Sequence, residues 1–239
     1  MSIYLASLEI DKSNNKQFPF CLPILQNGLK IEFDSPITFI VGGNGAGKST
    51  LLENLAYKVG FNHLGGNKNH TYDSRDNCDN LDLADKMKIA WELKTSKGFF
   101  FRAESFLNFA EYLDEMALED ANTYLAYGGE SLQKQSHGES FLSLFANKFN
   151  EGLFILDEPE SALSAERQLS LISILKDLAD TNKCQFIIAT HSPLLIATPN
   201  SKVYEIDDGE LKVKPYDETK QFLLYKNFLE CPDRYLRFL

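Results

Sequence analysis

Residues 37–50 read ITFIVGGNGAGKST: five apolar or β-branched residues, two glycines, a short small-residue stretch, then lysine, serine and threonine. The apolar run has the length and composition of a strand buried on both faces, and glycines end it. A helix is predicted from Ser49. Gly42, Gly47, Lys48 and Ser49 meet the spacing G-x-x-x-x-G-K-[ST], and phosphate chemistry explains that spacing. Glycines let successive backbone N–H groups turn inward on phosphate oxygens, and the start of the following helix adds its positive end. Lys48 is placed to meet β and γ phosphates, and Ser49 to ligate Mg²⁺. The whole cradle is Gly42, Asn44, Gly45, Ala46, Gly47, Lys48, Ser49 and Thr50. A plain glycine-rich turn is the alternative, and the strand before and helix after argue against it. None of the Asn-Lys pairs, at 15, 67, 147 and 182, has Asp two places later. A guanine-reading N-K-x-D is therefore missing, and ATP is the expected nucleotide.

Downstream, LFILDEPE at 153–160 is another buried-strand run, and it ends in Asp157 and Glu158. A strand that delivers carboxylates beside a phosphate cradle supplies the second half of a Mg-nucleotide site. Asp157 is expected to hold Mg²⁺ and Glu158 to polarise the attacking water. Asp-Glu-Pro at a strand end also serves as a simple cap, a reading that the cradle outweighs. The strand FIIAT at 186–190 ends at His191. A lone histidine is more often a structural hydrogen bonder, but this one is expected at the same sheet edge, where imidazole reaches the γ-phosphate. Lys48, Glu158 and His191 are thus the catalytic candidates.

Between these segments stands QSHGESF at 135–141. Gly42–Thr50, Ser136-His137-Gly138-Glu139, Asp157-Glu158, Ser161–Ser164 and His191 occur in the order and approximate spacing of the ABC ATPases, and the chain resembles that family over about residues 35 to 195. The resemblance implies Walker A, signature, Walker B, D-loop and switch-histidine roles in that order. It also implies a head-to-tail homodimer with ATP sandwiched between one subunit's cradle and the other's signature. The Ser136 hydroxyl and Gly138 N–H would then meet the γ-phosphate from across the interface, with Glu139 closing the motif. Ser136 and Glu139 also form a capping box, S-x-x-E, which is compatible with that role. The glutamate at the end of the signature resembles the chromosome-maintenance and break-repair branch. Only 86 positions separate Thr50 from Ser136, without sustained heptads, so long coiled-coil arms are excluded. The chain is most similar to small stand-alone bacterial ATPases. No glutamine follows GFFFRA, where the family has its Q-loop, and Arg102 or Glu104 is the candidate replacement. Phe18 and Phe20 are candidates for stacking on adenine.

The expected fold class is α/β, a P-loop NTPase with an ABC ATPase-like core. After residue 138 helices and buried strands alternate, which predicts a mostly parallel sheet flanked by helices. Strands at 3–10 and 29–33 form an N-terminal β part that the resemblance makes antiparallel. KMKIAWEL and GFFFRA also read as strands, VYEI and LKVKPY as a terminal hairpin, and the apolar spacing from Phe106 to Ala117 as a helix. A polar stretch at 61–80 reads as a loop. The resemblance places a helical subdomain at roughly 61–150 inside a single domain, 1–239.

The chain has 239 residues, 44% hydrophobic and 24% charged, and its net charge is -10. That charge opposes indiscriminate nucleic-acid binding and leaves a local contact open. No run approaches 18 apolar residues and the start lacks a signal-peptide pattern, so a cytoplasmic protein without membrane insertion is expected. Cys21, Cys78, Cys184 and Cys231 are too scattered for a metal site. Between Ala103 and Gln133 stand Glu104, Glu111, Asp114, Glu115, Glu119, Asp120 and Glu130 without a single Lys or Arg. A solvated helix face explains this run, and so does docking of an unidentified basic protein partner. The expected function is Mg-dependent ATP hydrolysis whose ATP-driven homodimerisation operates a cytosolic partner or a DNA-linked or defence process; the nucleotide-binding subunit of a transporter and a nucleotide-regulated binding module with negligible turnover are the competing readings.

Overall fold

A computed structural model describes residues 3–68, 81–120, 123–125, 129, 131–134 and 137–237. Its centre is a six-stranded sheet of order β5-β6-β7-β3-β8-β9. The strands are β3 (Ile37–Gly42), β5 (Gly98–Arg102), β6 (Gly152–Asp157), β7 (Cys184–Ala189), β8 (Ser201–Asp207) and β9 (Glu210–Val213). All neighbours are parallel except β8 and β9, which pair antiparallel through the Asp207–Glu210 hairpin.

The continuous apolar runs in these strands follow from burial on both faces. Phe39 and Val41 of β3, Phe99 and Phe101 of β5, Phe154 and Leu156 of β6, and Phe186 and Ile188 of β7 share one core. Their alternates Ile40, Phe100, Leu153, Ile155, Ile187 and Ala189 belong to a second core on the other face. The two-residue period of a strand divides the sequence between these layers. On the first face pack α4 (Phe106–Glu119), α5 (His137–Lys148) and α6 (Ala165–Asp180). Phenylalanine dominates there: Phe101 meets Phe141 and Phe145 edge-on, with centroids 4.8 and 4.9 Å apart. Each such buried ring contributes roughly 1.5–3 kcal/mol.

The second face carries α1 (Pro23–Gln26), α2 (Lys48–Val59), α3 (Asp82–Lys86) and a three-stranded antiparallel sheet, β2-β1-β4. These strands are β1 (Leu5–Ile10), β2 (Leu29–Glu32) and β4 (Met87–Trp91). Buried side chains fasten the two sheets, with Tyr204 of β8 bonded to Glu32 of β2 and Gln185 of β7 bonded to the start of β1. The Gln185 amide of β7 accepts from the Tyr4 and Leu5 N–H groups and donates to Leu5 O, each at 2.8 Å. Within 61–150, β4 and β5 belong to the two sheets, and the α-helices among the described residues are the short α3 and the longer α4 and α5. The chain closes with α7 (Lys220–Glu230) and α8 (Asp233–Leu236), neither of which has a buried residue. Among the described residues no helix is long and apolar enough to cross a membrane.

α1 and α3, with four and five residues, were outside the sequence expectation. Elements this short carry no measurable period. The arrangement otherwise follows the expected one: a mostly parallel sheet between helices, with an antiparallel N-terminal part.

Candidate active site

Parallel register brings several strand ends to one edge. Arg102 pairs with Asp157, Asp157 with Ala189, and Ile40 with Ala189. Everything that follows β3, β5, β6 and β7 therefore leaves the sheet at the same rim. After β3 the backbone turns through Gly47, whose φ of 95° is left-handed, into the first turn of α2. A Cβ at Gly47 would also stand 3.1 Å from Leu22 Cδ1, so glycine is needed here for conformation and for space.

Lys48 is buried. Its ammonium donates to Gly42 O at 2.9 Å and Gly43 O at 3.1 Å, and it lies 2.9 Å from His191 Nε2. An ammonium only donates, so Nε2 accepts, and the ring carries its proton on Nδ1. Burial, and then the Lys48 charge, lower the His191 pKa. Burial also lowers that of Lys48, against the pull of Glu158, Asp157 and Glu160. Glu158 Oε1 is 3.5 Å from the same Nε2. Lysine, imidazole and carboxylate thus converge on the cradle from α2 and from the ends of β7 and β6.

Glu158 has a left-handed backbone, φ 51°, at a cost of about 1 kcal/mol for a non-glycine residue. Its N–H donates to Ala189 O at 2.9 Å, which holds the turn against the neighbouring strand. Beside it, Asp157 is almost fully buried and accepts from Ser49 Oγ at 3.1 Å. Burial pushes the Asp157 carboxyl up to about 7, with the Ser49 hydrogen bond and Arg102 opposing. A carboxylate denied full solvation and faced by a hydroxyl suits a divalent cation, which would restore its ionised form. Ser49, Asp157, Glu158, Ser161, Ala103 and Glu104 enclose about 290 Å³ on this side. A second cavity of about 270 Å³ is walled by Asn44–Thr50, Glu158, His191, Leu22 and Phe18.

The two phenylalanines proposed for adenine separate. Phe18 is 49% exposed at the rim of the cradle cavity, whereas Phe20 is buried in the core with Ile24 and Leu25. Phe20 is thereby unavailable for stacking. At the expected Q-loop position, Arg102 pairs with Glu53 of α2 at 2.8 Å and with Glu104 at 2.6 Å, and Glu104 lines the metal-side cavity.

Gly138 and Glu139 lie in the first turn of α5, and they do not line the cradle cavity. That turn rests on α6 instead. Arg167 Nη2 donates to Glu139 Oε1 at 3.1 Å, and Ser164 caps α6 through Arg167 N at 3.3 Å. A Cβ at Gly138 would come within 2.5 Å of Arg167 Nη1 and 3.1 Å of Ala162 O. Ser136 lies outside the described residues, as does the His137 side chain.

Two partners escaped the sequence reading. Glu160 Oε1 accepts from His191 N at 2.6 Å, tying the β7 end to the β6 turn. Gln168 Oε1 accepts from Ser192 Oγ at 2.6 Å, and Ser192 Oγ in turn accepts from Leu194 N and Leu195 N, each at 3.1 Å. Glu160 stands in the quoted DEPE run and could have been singled out as a third carboxylate. Gln168 had no such signal.

Known proteins share this fold. The AAA domain family model matches residues 13–183. The chain is 27% identical over 189 residues to ABC transporter G family member 1 of Dictyostelium discoideum, covering 72% of this chain and 23% of that much longer protein. In three dimensions it is similar to an ATP-binding cassette of an ABC transporter, with TM-score 0.56 and 16% identity across all of both chains. It is also similar to an Smc head bound to the C-terminal winged-helix domain of ScpA, with TM-score 0.52 and 15% identity over 89% of this chain and 98% of that one. The span matched by the family model covers the cradle, the α5 turn and the β6 carboxylates; the chain belongs to this AAA domain family and has the fold of an ABC-type P-loop ATPase.

Proposed function

We propose that this chain hydrolyses ATP in a composite site completed by a second copy, and that closure of the two copies operates a protein partner. In this reading Ser49 and Asp157 hold Mg²⁺, and the backbone of Asn44–Thr50 cradles the phosphates. A bound Mg²⁺ would supply charge neutralisation to the phosphates. Lys48 exchanges the Gly42 and Gly43 carbonyls for phosphate oxygens, His191 contacts the γ-phosphate, and Glu158 orients and polarises the attacking water. Glu158 is the catalytic residue, and Glu160 and Gln168 are positioning residues for the His191 loop.

The observation that carries the dimer is the separation of the two motifs. Lys48, Glu158 and His191 converge on one cavity, while the α5 turn with Gly138 and Glu139 lies against α6 and lines no part of it. Gly138 and Glu139, which line no part of their own cradle cavity, are placed to serve another, and the helix N-terminus is suited to an anion. Ser136 and Gly138 would be the donors. The test is gel filtration of the Glu158→Gln chain in saturating Mg-ATP. A dimer that reverts to monomer without nucleotide supports the reading, and a monomer under both conditions sinks it.

The single domain with its helical part at α4 and α5 is the element proposed to relay closure. On α4, Glu111 and Glu115 are the acidic side chains best suited to a basic partner. Asp114 is used internally, accepting from Tyr124 Oη and Ser131 Oγ, each at 2.9 Å. Reversal of Glu111 and Glu115 to Lys should release a captured partner, and capture that survives reversal would count against this face. The likeness to a transporter's ATP-binding cassette favours a second reading, as the nucleotide-binding subunit of a transporter. Copurification with a membrane-spanning protein would distinguish it.

A further inference from the structure

α7 is eleven residues long and contains Phe222, Leu223, Leu224, Tyr225, Phe228 and Leu229, yet none is buried. Only Phe222 turns back to the core, meeting Tyr216 edge-on at 5.4 Å. The helix is nevertheless firmly placed. Buried Thr219 caps it through Phe222 N at 3.3 Å, and the Glu205 carboxylate accepts from Lys220 N at 2.7 Å. Lys220 also pairs with Asp207. Both carboxylates belong to β8, the strand beside β3.

That anchoring sets one stripe of the helix over the cradle's edge. Gln221, Leu224, Tyr225 and Phe228 fall at i, i+3, i+4 and i+7, on one face. Leu224 and Tyr225, 54% and 51% exposed, line a cavity of about 490 Å³ whose other wall includes Gly42, Gly43 and His191. Phe228, 37% exposed, continues the stripe outward. Whatever closes over the cradle therefore meets this face.

We infer that α7 is part of the contact between two copies, and that its apolar stripe is covered by the second copy when ATP closes the dimer. The inference rests on the head-to-tail reading above. Two observations select a second copy of this chain. The first is continuity: the α7 cavity shares His191 with the cradle cavity and is walled by Gly42, where the cradle loop leaves β3. The second is charge. Two chains of net charge -10 repel each other, and a contact surface between them must be locally less acidic. With Lys220 already paired to Asp207, residues 221–237 carry Lys226, Arg234 and Arg237 against Glu230 and Asp233, a small positive excess in an otherwise acidic chain. This slightly basic, apolar segment complements an acidic copy and not a second α7. It therefore suits head-to-tail association, in which unlike surfaces meet.

The test uses the full-length Glu158→Gln chain in saturating Mg-ATP, with the dimer dissociation constant measured by sedimentation. Leu224→Asp and, separately, Phe228→Asp are each expected to weaken the dimer about tenfold or more, equivalent to about 1.4 kcal/mol, with the ATP affinity of the dilute monomer unchanged in Phe228→Asp. Dimer constants equal to the parent's in both variants overturn the inference and leave the head-to-tail reading standing. A parent chain that never dimerises overturns both. Leu224 borders the cavity beside Gly42, so its substitution could disturb ATP binding directly. Phe228 lies a turn away, outside that cavity, and its variant decides the matter if the Leu224 variant loses ATP.

Discussion

At the cradle, every group is already engaged: Lys48 touches two carbonyls and an imidazole within 3.1 Å, Ser49 holds Asp157, and Glu158 is pinned in a left-handed turn. At the start of α5 the described contact lies nearer the surface. An ion pair, Arg167 to Glu139 with side chains 34% and 58% exposed, joins α6 to a turn whose Gly138 and Glu139 line no part of the cradle cavity. The first region grows from strand ends fixed by a parallel sheet, and the second from a helix laid across another helix. In the proposed function, chemistry belongs to the sheet edge and assembly to the helix contact. Substitutions on the two sides should separate in what they damage.

The largest effect belongs to the cradle's carboxylate. Glu158→Gln keeps size and hydrogen bonding but removes the base, so steady-state phosphate release should fall by about 10²–10⁴. ATP affinity, measured by titration calorimetry, should change by less than about threefold. A variant that loses affinity as much as turnover would mean that Glu158 holds nucleotide and not water.

Lys48→Ala comes next. It removes the ammonium that Gly42 O, Gly43 O and His191 now share. A hydrogen bond to a charged group is worth roughly 1.5–3 kcal/mol, so ATP should bind about 10–100-fold more weakly. His191 should also titrate higher in the nucleotide-free variant, because one of the two influences lowering it is gone. The direction follows from removing a neighbouring cation, which had disfavoured imidazolium. NMR titration of the imidazole reads it, and an unmoved His191 would contradict the contact.

Across the contrast, Gly138→Ala should leave monomer ATP affinity intact. Its new Cβ would displace Arg167 and crowd Ala162 O. The guanidinium can yield but the carbonyl cannot, so the α5 turn should tilt and closure weaken. About a tenfold loss of turnover at unchanged ATP affinity is the expected split, equivalent to about 1.4 kcal/mol. Equal loss of both would erase the distinction between the two regions.

The two regions also differed in how far the sequence revealed them. Lys48, Ser49, Asp157, Glu158 and His191 were legible because each sits at or just beyond the end of an apolar run, and parallel strands must release their ends together. Sheet order was not legible, because β3 lies between β7 and β8 through pairings some 150 residues apart in sequence. Glu160 and Gln168 were missed for a related reason: their contacts with His191 N and Ser192 Oγ span 31 and 24 residues. No local pattern encodes such a bond. At the α5 turn, Gly138 was legible as part of a motif. Its packing partner Arg167 was not, since only the crossing of α5 and α6 brings them together. Phe18 and Phe20 show the limit most plainly. They are two residues apart and alike in type, and only the fold sends one to the core and the other to the cavity rim.

That division at Phe18 yields the smallest and most discriminating expectation. Asn44–Thr50 and Lys48 grip phosphates through backbone and charge, whereas the far end of the cavity offers Leu22 and a half-exposed ring. Base–aromatic stacking is worth roughly 1–3 kcal/mol, and every base has a face to stack. An exposed ring should lie at the low end, so Phe18→Ala is expected to weaken ATP binding about fivefold. Because stacking reads no base edge, GTP should weaken by the same factor. Equal losses would assign the base end a contact without selectivity, leaving affinity to the phosphates. A loss confined to ATP would instead require an edge-reading partner for adenine, and Phe18 would then be its support.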